Sequence, residues 1–174
     1  METPKEDKYF EKTINILLVS NQTALNAMKQ KAESLGHNAI IFSDRYQQEA
    51  KLAGKELIDK TSPNQIILVG GETTVKAKGQ GKGGRNQELV LAVLENLNDR
   101  TLIASFDTDG WDNTEFAGAI GDSLTLQKAK ELSLNLNEYL ETNNSFEFFE
   151  KTGDGIITGR LPSNVSDLMI VIKI

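Results

Sequence analysis

The chain contains no cysteine, which excludes disulfides, thiolate zinc sites and a thiol nucleophile and fits a reducing compartment. No apolar run approaches the roughly 18 residues that a membrane span requires. The opening METPKEDKYFEKT has no apolar h-region of a signal peptide. Positive charge is also in deficit: 19 Lys and Arg stand against 25 Asp and Glu, a net charge of −6. A broad nucleic-acid or membrane-surface interaction needs the opposite balance. The single histidine, His37, stands beside Gly36 at a predicted helix end, where it serves the helix dipole rather than a ligand. Together these absences describe a cytoplasmic protein.

What is present is ordinary for a globular domain: 174 residues, 39% hydrophobic and 25% charged, enough for one domain with its own core. Residues 1–12 read as a lead-in and 13–174 as the domain. Residues 14–19 (INILLV) form a continuous apolar run of buried-strand type, and Ser20 or Asn21 caps a helix that Gly36 ends. Residues 39–42 predict a second strand. Asp44 with Gln47 suggests the start of a helix running to about Lys60, stopped by Ser62-Pro63, and residues 66–69 predict a third strand. This β-α-β-α-β opening predicts parallel pairing of the first three strands. Residues 73–78 alternate as a half-exposed strand, and a helix is predicted over 86–97. Strands at 102–106, 117–120, 156–158 and 168–172 and short helices near 125–132, 135 and 144 complete the chain. The fold expected is α/β: a single three-layer domain with a mixed, mainly parallel sheet.

Residues 70–88, GGETTVKAKGQGKGGRNQE, stand out. Gly79, Gly81, Gly83 and Gly84 interleave with Lys76, Lys78, Lys82 and Arg85, with no acid between Glu72 and Glu88. Glycines let backbone N–H groups approach an anion, and a helix beginning near Arg85 would aim free amides at the same point. A basic island in an acidic chain is therefore read as a phosphate site, against the plain alternative of a flexible surface hairpin. Gly79-x-Gly81-x-x-Gly84 satisfies the dinucleotide fingerprint only in letters, because the preceding strand is polar and comes late in the order. Nor is it a Walker A loop, since Arg85-Asn86 follows Gly84.

Asp107, Asp109, Asp112 and Glu115 crowd the end of a predicted buried strand, where ligands of open α/β sheets bind. They either hold Mg²⁺ or act as a base beside a phosphate, or they are a self-capping Asp-rich turn. Trp111 lies in the same loop. Residues 159–167, GRLPSNVSD, make a third polar loop.

These three loops, in this order, resemble the MOFRL domain, the C-terminal domain of the glycerate 2-kinases formerly called hydroxypyruvate reductases. The resemblance rests on GGETTVKAKGQGKGGRNQE, on TDG (108–110) leading into AGAI (117–120), on SNVSDL (163–168) and on FEFFEKTGDGIITG (146–159). It covers about residues 10–174. Two differences stand out. WDNTEFAGA replaces a family loop like IDGPTDAAGA, one residue shorter and with Glu115 in place of an aspartate. The family's N-terminal kinase domain, which completes the cleft, is missing.

The resemblance implies ATP- and Mg²⁺-dependent phosphorylation of glycerate, with glycerate and a nucleotide as ligands, and a chain inactive by itself. It implies catalytic roles for Arg85, on the substrate carboxylate or the transferring phosphate, and for Asp109, as base or metal-linked carboxylate. Lys82, Gly83 and Gly84 would bind phosphate, and Glu72, Asn86 and Asp167 would bind or orient. Metal ligands and oligomeric state are left open. A non-catalytic anion-binding or partner module is the competing reading, with a nucleotide-dependent oxidoreductase behind it.

Overall fold

The computed structural model describes residues 3–14 and 16–174. Six strands form one sheet in the order β1-β2-β6-β3-β4-β5: β1 Asn38–Tyr46, β2 Gln65–Gly71, β3 Thr101–Asp107, β4 Gly118–Gly121, β5 Gly155–Ile156 and β6 Asp167–Lys173. β1 and β2 pair in parallel, and every other pairing is antiparallel. The single α/β domain and its mixed sheet are thus as expected. The parallel part is confined to β1·β2 because β6 returns between β2 and β3, where a longer β-α-β series would have continued.

The strands read as continuous apolar runs because helices cover both faces. On one face lies α1 (Asn21–Ser34), which packs Leu25 and Ala32 against Ala39, Ile66, Leu68 and Leu168. On the other, α2 (Ala50–Lys60), α3 (Arg85–Leu91), α4 (Ser123–Glu131), α5 (Leu136–Glu141) and α6 (Ser145–Thr152) bury Leu57, Leu89, Ala129, Leu136, Phe148 and Phe149 with Ile67, Val69, Ile103, Met169 and Val171. Among the described residues no helix is long and apolar enough to cross a membrane.

Four local expectations change. Residues 14 and 16–19 form no strand and are 61–85% exposed; Asn15 lies outside the described residues. The run has strand-forming composition but, among the described residues, pairs with no strand, and the outer edge of β1 stays open. The helix expected at Asp44 begins at Ala50, because β1 stays paired to β2 as far as Tyr46↔Gly71. Residues 73–78 contribute only a bridge between Thr74 and Glu49 and otherwise run extended. The helix after Arg85 ends at Leu91, with a 3₁₀ turn at Leu94–Asn96.

The sheet register creates the site edge. Gly71, Asp167 and Asp107 are direct partners across β2, β6 and β3, so the 71–85, 107–118 and 157–167 connections all leave or enter at one end of the sheet.

Candidate active site

Arg85, the first residue of α3, points into that edge. Its Nε and Nη2 grip the Asp167 carboxylate at 2.7 and 3.0 Å, Nη2 also donates to Asp107 at 3.1 Å, and Nη1 lies 2.7 Å from Glu72. One guanidinium thus ties together three strand ends, using the planar fork that lysine lacks. Burial works against the Arg85 charge, but the Asp167 hydrogen bond and the charges of Asp167, Glu72 and Asp107 outweigh it and raise its pKa. Burial is also the main cause lifting Asp107 and Asp167 above the ordinary carboxylate range. Their mutual repulsion adds at Asp107, while Arg85 opposes the rise at both. Three carboxylates around one cation leave the cluster with surplus negative charge.

Beside it lies a hollow of about 880 Å³, lined by Gln48, Glu49, Glu72, Thr73, Arg85, Glu88, Asp107, Trp111, Asp112 and the glycines of the 79–84 segment. Glu88 is buried in its wall, bonded by Asn143 Nδ2 at 2.9 Å and 3.9 Å from Lys51 Nζ. Burial again dominates and raises its pKa.

The glycine-rich segment is built for packing. Lys78 and Gly79 amides donate to Asn143 Oδ1, Gly81 N donates to Thr142 O at 2.9 Å, and Lys82 N donates to Asn144 Oδ1. A Cβ on Gly79 or Gly81 would stand 2.3–2.5 Å from Thr142 atoms, one on Gly83 2.2 Å from Ser145 Oγ, and one on Gly84 2.0 Å from Asp112 O. None of these four has positive φ. The glycines are there because another backbone runs against them, at the α5–α6 junction and at the acidic loop. The expected cradle of free amides is therefore corrected: its amides at 78, 79, 81 and 82 are taken within the chain.

The α3 N-terminus is likewise occupied. Asp112, 3% exposed, accepts from the backbone N–H groups of Asn86 and Gln87 at 3.1 and 2.9 Å. It also accepts from Asn86 Nδ2 and Gln87 Nε2 at 3.1 and 3.0 Å. A protein carboxylate sits where a phosphate was expected. Burial raises the Asp112 pKa, opposed by these four bonds.

The remaining expected residues fall as follows. Lys82 is paired to Glu115 and lies 3.8 Å over the Phe146 ring. Asn86 is fully buried, holding Asp112 and accepting from Ser105 Oγ. Gly83 O accepts from Asn113 Nδ2, and Gly84 precedes α3. Asp109 makes no contact with Arg85; its Oδ1 accepts from Trp111 N, while its own N–H donates to Asp107 Oδ1. Asp109 thus caps a turn, and Asp107, two residues before it, is among the carboxylates that line the hollow, with Glu49, Glu72, Glu88 and Asp112. Asp107 is one of the four acids read from the sequence at the end of β3, where Asp109 is preferred to it. Asp112 belongs to the same acidic group and Glu88 closes the glycine-rich motif, but nothing in the sequence marks either as buried.

The model of the MOFRL family matches residues 65–167. A glycerate 2-kinase of Pyrococcus horikoshii is 36% identical over 98% of the chain, and a D-glycerate 2-kinase of Thermotoga maritima is 36% identical over 97%. The chain spans 41% and 43% of their lengths, less than half of each. A crystal structure of a Pyrococcus horikoshii OT3 protein superposes with a TM-score of 0.86 at 34% identity, over 93% of this chain and 40% of that one. The Thermotoga maritima glycerate kinase structure gives 0.85 at 33%, over 91% and 42%.

Proposed function

The chain belongs to the MOFRL family, and on that premise we propose that it forms one half of a cleft in which ATP phosphorylates a hydroxyl of glycerate. The observation that carries the reading is the Arg85 cluster, where three loops distant in sequence meet beside an open hollow. Phosphoryl transfer asks a protein mainly for positioning and charge stabilisation. Arg85 is fixed from three sides, so its guanidinium edge is pre-aimed, and Asp107 sits beside it as the carboxylate able to take or hold a hydroxyl proton. Burial keeps the Asp107 pKa above the ordinary range, which suits a proton acceptor.

The surplus negative charge means that a phosphate chain enters this hollow only with its own counter-cation. Among the described residues no group of three or more acidic or histidine side chains forms a metal cage. Mg²⁺ needs only one or two carboxylates when substrate phosphates supply the rest, and Glu72 and Asp107 are hard oxygen donors of that kind. Bound there, the ion would neutralise phosphate charge. The second half of the cleft, a preceding domain like the remainder of the longer relatives, would exclude water over the ligands. Cytoplasmic location follows from the same reading.

The test is complementation. The 174-residue chain alone should show no ATP-dependent phosphorylation of glycerate, and addition of the N-terminal portion of the Thermotoga enzyme should restore it. Turnover that persists in an Arg85→Gln, Asp107→Asn double variant of the complemented enzyme would overturn this site.

A further inference from the structure

Trp111 is the chain's one tryptophan, and it lines the hollow with Asp107 and Asp112. The guanidinium of Arg160 lies over this ring, 4.1 Å from its centroid. The two loops that carry them are joined by backbone. Leu161 N donates to Asp109 O at 2.7 Å, and Ser163 Oγ donates to Thr108 O at 2.8 Å. Gly110, at φ +82°, sits so close to Gly159 that a Cβ would stand 2.0 Å from its carbonyl oxygen. Trp111 N–H is fixed on Asp109 Oδ1 at 2.9 Å. The Asp109 turn thus fixes the backbone that carries Trp111.

Three features distinguish this pair from ordinary packing. Among the described residues Arg160 has no carboxylate partner, whereas Lys51, Lys76, Lys78 and Lys82 around the hollow are each on one. Trp111 keeps part of its surface exposed, and among the described residues nothing accepts a hydrogen bond from its Nε1. The lining carries Glu49, Glu72, Glu88, Asp107 and Asp112 against the single cation of Arg85, so a bare anion is repelled while a flat neutral ring is not. Cation–π contact satisfies one face of the indole and leaves the other without a ring or cation on it.

We propose that Trp111, braced by Arg160, is a stacking platform for the planar base of a nucleotide, most simply the purine of the phosphoryl donor. The assignment rests on the kinase reading above but has its own readout. Stacking of a base on an aromatic side chain contributes affinity with little regard to hydrogen-bond pattern. The Arg160 guanidinium on the opposite face holds the indole in place as the base approaches.

The single tryptophan makes the test direct. Its emission should be quenched saturably by adenosine and by Mg-ATP and left unchanged by inorganic triphosphate. By calorimetry, Trp111→Ala should weaken Mg-ATP binding about 5- to 150-fold. Trp111→Phe should retain most of the affinity, which separates stacking from misfolding, and Arg160→Gln should weaken it about 2- to 5-fold. Quenching by triphosphate alone, an unchanged affinity in Trp111→Ala, or no binding of either adenosine or Mg-ATP would overturn the platform. Mg-ATP binding with Trp111 silent and replaceable removes the platform and leaves the kinase reading standing. Adenosine quenching in a chain that complementation never activates does the reverse.

Discussion

The Asp112 carboxylate is the most consequential side chain that the sequence pattern did not single out from its loop, and its removal should unlock the site. In Asp112→Ala, two backbone N–H groups of the first turn of α3 and the Asn86 side-chain amide lose their acceptor in a place that is 3% exposed, while Gln87 Nε2 keeps Thr114 Oγ1 and the Asp112 carbonyl. Each stranded buried donor costs about 1–3 kcal/mol, and loss of a helix cap alone costs about 1 kcal/mol. Relief of the desolvation that raises the Asp112 pKa, and partial re-aiming of the Asn86 side-chain amide, offset part of this. A net loss of about 3–5 kcal/mol follows, the size seen when one partner of a buried charged network is removed. Asp112→Asn keeps one acceptor oxygen but turns an NH₂ toward donors, and should cost about 1–2 kcal/mol. Urea unfolding followed by Trp111 emission and circular dichroism reads both values. With slopes of about 1–3 kcal/mol per molar for a domain this size, the alanine midpoint should fall by at least about 1 M at unchanged slope. A loss within about 0.5 kcal/mol for Asp112→Ala, the range of an ordinary surface change, would refute the view that this carboxylate anchors α3 and the glycine segment.

The architecture was legible where local signals agree with burial. The apolar runs at β2, β3 and β6 and the cap at Ser20 needed no tertiary knowledge, and the structure uses that cap. The convergence of three loops was also legible, because Arg85 and Asp167 lie in two of the quoted motifs and Asp107 ends the strand between them. The sense of the glycines was not. Gly79, Gly81, Gly83 and Gly84 look the same in sequence whether their amides face a phosphate or another backbone, and only the approach of Thr142, Ser145 and Asp112 decides. The same holds for the start of α3, whose anion comes from 26 residues downstream. The strand expected at 14–19 shows the opposite case: composition states only a preference, and residues 14 and 16–19 stay exposed although the outer edge of β1 is open.

Three further outcomes test the packing and electrostatics. Gly81→Ala should cost about 1–3 kcal/mol, because its Cβ would stand 2.5 Å from Thr142 O and Asn144 Cβ; a neutral result by thermal unfolding would mean the segment is not clamped. Leu17→Gln with Leu18→Gln should change stability by less than about 0.5 kcal/mol, since both side chains are at least 80% exposed, while lowering concentration-dependent self-association in sedimentation. The pH dependence should run against the usual acid lability. Burial holds Glu88, Asp107, Asp112 and Asp167 above the ordinary carboxylate range. A carboxyl whose pKa is higher folded than unfolded binds its proton more tightly in the fold. Its contribution is complete below the unfolded value near about 4 and is lost as pH rises through the folded value. The carboxylates held low, Glu49, Glu115, Glu141 and Glu147, are solvent-facing pairs with lysine whose effect is screened and disappears only in stronger acid. Moving from about pH 7.5 to about pH 5 should therefore leave the urea midpoint unchanged or higher. A fall worth more than about 1 kcal/mol over that interval would mean that these buried acids stabilise the fold as anions, and that Arg85 and the α3 amides outweigh their desolvation.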